Sequence, residues 1–326
     1  MELTGLHHVS ALTALAANNL EFYTRTLGLR LVKKTVNQDD TTSYHLFYGD
    51  EHGNPGTEVT FFDIPHAAPT RSGVSSISRI ALRVTGQDSL RWWEDRLSTL
   101  GVEHDGVTTE AGRGVLAFRD PEGQRLALVD DSDAALPGGT PWAKSSTPTA
   151  VGIRGLGAVT LTVRRLEPTE RVLTDVMGFT RQGSYAATDG GPQRDIVVFG
   201  TGVGGPGAEV HVDTRDDLPP ERLGRGGVHH VAFRVPTAEQ HLEWLDRLES
   251  AGLRTSGLVE RYYFRSIYFR EPNGILFELA TDGPGFLTDE DEARLGEGLA
   301  LPPFLEPYRA TIESRLLPLD TSHIGA

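Results

Sequence analysis

Apolar and polar residues alternate over four separate stretches of the chain, and each stretch precedes a segment with helical periodicity. Further short alternating runs, rich in β-branched and aromatic residues, follow each helix-like segment. A glycine stands at the matching place after each helix, where a left-handed C-terminal residue is expected; these glycines are Gly28, Gly101, Gly178 and Gly252. The pattern therefore predicts four copies of one β-α-β-β-β module.

The second and fourth helices have clear signals of their own. In the second module an apolar stripe is formed by Leu90, Trp93 and Leu97. In the fourth module the predicted stripe consists of Leu242, Leu245 and Leu248. Thr237 and Gln240 precede this second stripe with the spacing of a capping box. Both segments are therefore expected to be amphipathic helices that pack on a sheet.

The last strand of each module follows a turn that contains proline and glycine, and the turns fall into two types. Asp120–Gly123 resembles Glu271–Gly274, whereas Pro55–Val59 resembles Pro206–Val210. This pairing indicates that a half of two modules was duplicated as a unit. The predicted fold is α+β, with four βαβββ modules that form two cup-shaped mixed sheets. The N-terminal half covers residues 1–131 and the C-terminal half residues 151–282. A Pro/Gly/Ser-rich linker at 132–150 joins them, and a C-terminal tail follows at 283–326.

Composition narrows the classes of function. The chain has 326 residues, a formal net charge of −14 and no cysteine. The negative charge argues against nucleic acid or an anionic membrane as a partner. Without thiolates, any metal must be held by His, Asp or Glu. Neither a signal peptide nor an apolar run of membrane-spanning length is visible, so a soluble cytoplasmic protein is expected.

The four modules act as internal controls for candidate metal ligands. At the equivalent position in the first strand they have His8, Arg79, Ala158 and His230. At the equivalent position in the last strand they have Thr60, Ala127, His211 and Glu278. Only modules one and four supply two histidines and a carboxylate, the ligand set of non-haem Fe(II) oxygenases. We therefore predict that these two modules share a cup with His8, His230 and Glu278 as ligands, and that modules two and three form a metal-free partner.

Over essentially its whole length the chain resembles the vicinal oxygen chelate superfamily, which includes glyoxalases, bleomycin-resistance proteins and extradiol dioxygenases. It is more narrowly similar to hydroquinone-type ring-cleaving dioxygenases, through the three ligand positions, residues 261–272 and the tail motif at 301–307. The resemblance implies active-site roles for Arg261 and Tyr268. It also implies that His7 and His229, together with these two residues, are partners for the second hydroxyl group of the diol, where a histidine can accept the phenolic proton. Ser10 matches a position that the family usually fills with a hydroxyl residue.

The resemblance implies an enzyme that opens a hydroquinone-type aromatic diol with O₂ and uses Fe(II), although Mn(II) suits the same ligands. A glyoxalase-like metal-dependent isomerase or lyase is an alternative, disfavoured because Thr60 stands where such sites place a second carboxylate. A non-enzymatic binding protein of the bleomycin-resistance type is a third possibility, disfavoured by the complete ligand set. Exposed edges of cup-shaped sheets commonly pair, so a homo-oligomer is also compatible with the sequence.

Three further expectations concern charged and titratable residues. Strand alternation predicts that His7 and His229 point away from the site unless a bulge intervenes. The remaining histidines outside the second cup are expected at the surface, namely His45, His52, His66, His104, His241 and His323. The acidic run 289–292 is interpreted as a helix N-terminus, where negative charge is favourable.

Overall fold

The computed structural model describes residues 1–188 and 190–321, and these contain the four predicted modules in order. Module one consists of β1 (Leu6–Thr13), α1 (Ala16–Glu21, continued by a π-helical turn at Phe22–Thr26), β2 (Arg30–Asn37), β3 (Asp40–Gly49) and β4 (Glu58–Asp63). Module two consists of β5 (Ser76–Val84), α2 (Gly86–Thr99), β6 (His104–Glu110), β7 (Arg113–Arg119) and β8 (Arg125–Asp130).

The second half repeats this order. Module three consists of β9 (Leu156–Val163), α3 (Leu166–Arg171, continued by a π-helical turn at Val172–Val176), β10 (Thr180–Ala186), β11 (Asp195–Gly200) and β12 (Glu209–Thr214). Module four consists of β13 (Val228–Val235), α4 (Ala238–Ser250), β14 (Val259–Glu260), β15 (Arg265–Arg270) and β16 (Leu276–Thr281). A short helix α5 (Arg309–Glu313) lies in the tail, and single 3₁₀ turns occupy Thr149–Val151, Pro206–Ala208, Phe286–Thr288, Glu292–Arg294 and Glu306–Tyr308.

The strands form two eight-stranded mixed sheets, and each sheet is shared by two modules. The first has the order β14-β15-β16-β13-β1-β4-β3-β2 and therefore joins modules four and one. The second has the order β10-β11-β12-β9-β5-β8-β7-β6 and joins modules three and two. At the centre of each sheet the first strands of the two modules pair antiparallel, β1 with β13 and β5 with β9. The prediction that modules one and four share a cup is confirmed.

The helices follow their predicted periodicity with one correction. Leu90, Trp93 and Leu97 are fully buried on α2. On α4 Leu248 is buried and Leu245 is partly buried against the core, as predicted, but Leu242 is 53% exposed, and His241 and Trp244 complete the buried face. Thr237 caps α4 as expected, by accepting a hydrogen bond from the backbone N–H of Gln240. The four glycines after the helices all have positive φ, between 70° and 79°, a region that a side chain would strain.

The tail packs on β2, at the edge of the first sheet. The ammonium group of Lys33, which is completely buried, contacts the carboxylates of Asp289 and Glu290 and the carbonyl of Phe286. The acidic run 289–292 leads into a single 3₁₀ turn at Glu292–Arg294 and not into an α-helix, and two of its members neutralise a buried lysine. Among residues 1–188 and 190–321, no helix is long and apolar enough to cross a membrane.

Candidate metal centre

Three side chains converge at the centre of the first sheet. His8 comes from β1, His230 from β13 and Glu278 from β16, three strands that are neighbours in the sheet. The Oε2 atom of Glu278 lies 2.9 Å from Nε2 of His230 and 3.3 Å from Nε2 of His8, and the two nitrogens are 3.3 Å apart. Mutually perpendicular ligands about 2.1 Å from one ion are about 3 Å apart. The three atoms therefore have the spacing of one face of an octahedron.

The environment of these atoms favours a cation. All three side chains are buried, and Oε2 of Glu278 has no hydrogen-bond partner. Burial by itself raises the pKa of this carboxyl group, but the neighbouring imidazoles of His8 and His230 outweigh burial and hold it well below its ordinary value. Glu278 is thus a buried carboxylate, and its other oxygen accepts a hydrogen bond from Ser266. A divalent cation would supply the missing partner for Oε2.

The pairing of β1 with β13 explains how each His-His pair can lie at the site. The register shifts once between Leu6 and Val9 on β1, and again between the Ser10–His230 and Ala11–Val228 pairs. Such an irregularity breaks strict alternation and allows consecutive side chains to contact each other. His7 accordingly has Nδ1 2.9 Å from Nδ1 of His8, and His229 has Nδ1 2.8 Å from Nδ1 of His230.

The contacts of His7 determine which nitrogen of His8 carries a proton. Nε2 of His7 lies 3.1 Å from the carbonyl oxygen of Thr281, which can only accept a hydrogen bond. Burial, with the neighbouring His8, lowers the pKa of His7 to about 3, so its ring is neutral and Nδ1 is an acceptor. His8 must then donate from Nδ1, so in a neutral His8 ring the lone pair is on Nε2, where it can bind a metal.

His229 stands in the same relation to His230. It is half-buried, and burial with the neighbouring His230 lowers its pKa to about 4. A neutral His229 can accept through Nδ1 from Nδ1–H of His230, which again exposes the Nε2 lone pair toward Glu278. His7 and His229 thus each contact one of the two converging histidines through Nδ1.

A second group of potential ligands, His7, His8 and Glu58, lies beside the first. Glu58 is buried, Oε2 lies 3.7 Å from Nδ1 of His7, and burial raises the pKa of the carboxyl group well above its ordinary value. The two imidazole nitrogens in this group are already within hydrogen-bond distance of each other. We therefore interpret the group as surroundings of the His7–His8 pair and not as a second metal centre.

A cavity of about 50 Å³ opens from the ligand nitrogens. Its lining includes His8, His230, Arg261 and Tyr268. Nε of Arg261 donates to the hydroxyl oxygen of Tyr268 at 3.3 Å, and its two terminal nitrogens contact the carboxylate of Asp39 at 3.1 and 2.9 Å. Burial raises the pKa of Tyr268, with Glu278 adding to the effect, so the phenol stays protonated.

The structure places Ser10 behind the cavity wall. Its hydroxyl group is completely buried and lies 2.7 Å from the hydroxyl oxygen of Thr60. Ser10 pairs with both His230 and Thr60 across the neighbouring strands. It therefore lies between β13, which carries His230, and β4, and it does not line the cavity.

The expectation of a surface position is wrong for two histidines. His45 lines the cavity, with Nε2 2.9 Å from the hydroxyl oxygen of Thr60 and its ring between Phe47 and Phe62. His241 is buried on α4, where Nε2 contacts the carbonyl of Leu279. His323 lies outside the described residues. Alternation along β3, which puts His45 on the same face as Phe47, is the sequence signal that could have identified the first of these.

The second sheet has polar residues in place of a ligand set. Arg79 contacts both carboxylate oxygens of Glu110, and Tyr185 lies 3.2 Å from Glu110 and 3.0 Å from Nδ1 of His211. The other ring nitrogen of His211 lies 3.3 Å from Glu209, which also binds Arg113. Among the described residues, groups with metal-ligand spacing occur only in the first sheet.

Comparison with known proteins identifies the class. The model of the Glyoxalase/Bleomycin resistance protein/Dioxygenase superfamily matches residues 5–128 and 155–279, so the chain belongs to this superfamily. The fold agrees: glyoxalase I from Zea mays superposes with a TM-score of 0.61 at 14% identity, over 85% of this chain and 92% of that one.

Within the superfamily the relatives are ring-cleaving enzymes. The candidate ring-cleaving dioxygenase MhqA of Bacillus subtilis (strain 168) is 52% identical over 98% of this chain and 100% of the relative. The chlorohydroquinone/hydroquinone 1,2-dioxygenase of Sphingobium indicum is 33% identical over 93% of this chain and 92% of the relative. A crystal structure of a candidate dioxygenase from B. subtilis superposes with a TM-score of 0.89 at 34% identity, over 98% of each chain. The chain thus belongs among the ring-cleaving dioxygenases.

Proposed function

We propose that this protein uses O₂ to open the ring of a hydroquinone-type diol, with Fe(II) held by His8, His230 and Glu278. The observation that carries the proposal is the convergence of three buried ligand atoms within 3.3 Å of one another. The two imidazoles and the carboxylate would hold the ion and leave it able to bind further ligands. Mn(II) suits the same ligands, so the test described below loads each metal separately.

The relatives support the choice of substrate. The name of the Sphingobium relative specifies chlorohydroquinone and hydroquinone, and its alignment covers 93% of this chain. When bound, the ion supplies adjacent positions for one substrate oxygen and for O₂ and allows electrons to pass between them. The hydroxyl groups of a hydroquinone lie para to each other, so only one can reach the ion, and protein groups must bind the other.

The protein's own contribution begins with orientation of the ligands. His7 holds His8, and His229 holds His230, in the tautomer that points an unprotonated Nε2 at the ion. Each contact consists of a single hydrogen bond between Nδ1 atoms, so the two imidazole planes are also fixed in space. We propose that both residues are positioning residues for this reason.

Arg261 and Tyr268 are proposed to stabilise negative charge that develops on oxygen during the reaction. The guanidinium group donates to the Tyr268 oxygen, so the phenolic hydrogen remains free to donate into the cavity. A protonated tyrosine with a cation behind it is a strong donor toward an anionic oxygen. Asp39, an exposed residue of the cavity lining, holds the guanidinium group through an ion pair.

Substrate entry requires movement of the cavity wall. The cavity of about 50 Å³ is smaller than the roughly 150 Å³ of an engineered cavity that binds benzene. The turn between β2 and β3 closes this side, since Gln38 donates to the carbonyl of Arg261 and Asp39 binds its side chain. We propose that this turn moves outward when a substrate binds.

Oxygen consumption provides the test. The protein would be purified without oxygen, loaded with Fe(II), and mixed with hydroquinone, chlorohydroquinone, catechol or no diol. We expect one O₂ consumed per hydroquinone opened and no uptake without a diol. Absence of uptake with every diol, while iron is shown to be bound, would contradict the proposed activity. Parallel loading with Mn(II) determines which metal supports turnover.

A further inference from the structure

We propose that His45 and Thr35 bind the substrate hydroxyl group that lies away from the metal, and thereby select para diols. The inference rests on the proposed function, because it names the protein groups that the second hydroxyl would meet. It concerns residues on β2 and β3 of module one, which the ligand set and the Arg261–Tyr268 pair do not include.

The ring of His45 is fixed in one orientation at the cavity. Its centroid lies 4.0 Å from that of Phe47 and 4.1 Å from that of Phe62, and Nε2 contacts Thr60 at 2.9 Å. A stacked contact with Phe62, a tilted contact with Phe47 and a hydrogen bond at one edge leave the ring little freedom to rotate. The remaining nitrogen, Nδ1, has no hydrogen-bond partner among residues 1–188 and 190–321.

Thr35 supplies a second unpaired polar atom at the same place. It pairs with His45 across the β2–β3 ladder, lines the cavity and is only 2% exposed. Its hydroxyl oxygen is buried without a hydrogen-bond partner in the described part of the chain. A buried hydroxyl group without a partner is costly, and such a group in a cavity wall is available to a ligand.

The position of these atoms relative to the metal ligands gives the pair its role. β13 and β1 carry the ligand histidines at the centre of the sheet, β15 carries Tyr268 on one side, and β3 carries His45 on the other. Because the sheet curls, both sides face the same cavity. On the β15 side Arg261 and Tyr268 already bind each other. His45 and Thr35 therefore add unpaired donor and acceptor capacity on the other side of the cavity, opposite the phenolic hydrogen of Tyr268.

One hydroxyl group suits this pair of atoms. An imidazole nitrogen and a threonine hydroxyl can each donate or accept, so together they satisfy both the hydrogen and a lone pair of a phenol. An ortho diol, with both oxygens directed at the ion, would leave them unpaired. A ligand without this hydroxyl group would leave both protein atoms unpaired, and binding sites discriminate strongly against such ligands.

Binding measured without oxygen tests the inference. The Fe(II)-loaded protein would be titrated anaerobically with hydroquinone and with phenol, which lacks only the second hydroxyl group. We expect the wild type to bind hydroquinone about tenfold more tightly, the gain from one satisfied hydrogen-bonding group. In His45→Phe, which retains an aromatic ring between Phe47 and Phe62, hydroquinone should bind about tenfold more weakly while phenol binding stays unchanged.

A second variant is nearly isosteric. Thr35→Val should weaken hydroquinone binding a few-fold and leave phenol binding unchanged, without lowering the melting temperature, because it removes a buried hydroxyl group that has no partner. His104→Phe, in module two, serves as the control and should change neither affinity. Should one of the two variants fail to fold, as judged by circular dichroism, the other still decides.

Two results would overturn the inference. One is equal affinity of the wild type for hydroquinone and phenol; the other is an equal loss for both ligands in His45→Phe. Because these titrations contain no O₂, they are independent of turnover. An inactive enzyme that still distinguishes the two ligands through His45 would contradict the proposed activity alone.

Discussion

The two sheets of this protein have the same strand order and the same pair of central antiparallel strands, yet their concave faces differ chemically. In the first, two histidines and a glutamate converge with one carboxylate oxygen left without a hydrogen-bond partner. In the second, Arg79 stands at the position of His8, and each polar group in the Arg79–Glu110–Tyr185–His211 chain has a protein partner.

This difference shows that the topology provides a place for a site but not its chemistry. Register shifts occur at the central strand pairs of both sheets, including between Ile77 and Arg79 on β5. The irregularity that brings consecutive side chains together is therefore a property of the repeated module. Whether a metal binds depends on leaving a buried anion unneutralised, and in the second sheet arginines neutralise the buried carboxylates Glu110 and Glu209.

The largest difference between the sheets should appear when one ligand is replaced. Glu278→Gln removes the negative charge that two imidazoles surround, so we expect loss of bound iron and oxygen uptake below detection. Iron would be quantified after gel filtration. His211→Ala, at the equivalent position of module three, is the matched control and should retain iron and activity. Retention of full iron by Glu278→Gln would disprove the assignment of the centre.

Replacing a cavity donor should leave the metal and reduce the rate. Tyr268→Phe removes the phenolic hydrogen, and kcat/KM for hydroquinone should fall about 100-fold with iron content unchanged. Tyr185→Phe makes the same change in the second sheet and should not alter kcat/KM. A rate equal to wild type in Tyr268→Phe would remove this tyrosine from the proposed mechanism.

Loss of an orienting histidine should weaken metal binding without abolishing it. In His7→Leu nothing accepts from Nδ1–H of His8, so iron affinity should fall about 10- to 100-fold. Competition with a chelator measures the affinity. His7→Gln keeps an acceptor in the side chain and should recover part of the loss. If His7→Leu binds iron as tightly as wild type, the hydrogen bond between the two rings has no orienting role.

Substitutions in the second sheet should have the smallest effect on iron binding and activity. They should lower the unfolding free energy instead. Arg79→Met leaves Glu110 with only Tyr185 as a partner, which should cost about 3 kcal/mol of unfolding free energy because the pair is largely buried. Urea unfolding measures the cost. The double variant Arg79→Met/Glu110→Gln should recover part of it, with iron content unchanged throughout. A loss of iron in either variant would show that the two sheets are coupled.

Much of this molecule could be predicted from its repeats. Four copies of one alternating pattern gave the strand and helix order, because hydrophobic periodicity is a local property. Comparison of equivalent positions selected His8, His230 and Glu278 and rejected His211. The turns and helix caps followed from glycine and threonine at expected positions, since backbone conformation there depends on a few adjacent residues.

The errors occurred where distant strands or segments meet. His45 was expected at the surface, yet Phe47 and Phe62 enclose its ring in the cavity wall. The acidic residues 289 and 290 were interpreted through local helix electrostatics, but they neutralise Lys33, more than 250 positions earlier in the chain. For residues 289 and 290 the deciding partner was remote in sequence, and no local pattern could identify it. For His45, alternation with Phe47 along β3 was an available local signal, whereas Phe62 comes from the neighbouring strand β4.

For the repeated His-His pair, the sequence and the tertiary structure determined different properties. The sequence by itself determined that His8 and His230 occupy equivalent strand positions and that only modules one and four can supply a ligand set. The tertiary structure decided where His7 and His229 point, because a register shift between two strands over 200 residues apart overrides simple alternation. It also decided the tautomer of His8, through a carbonyl oxygen at Thr281 that only folding brings within 3.1 Å of His7.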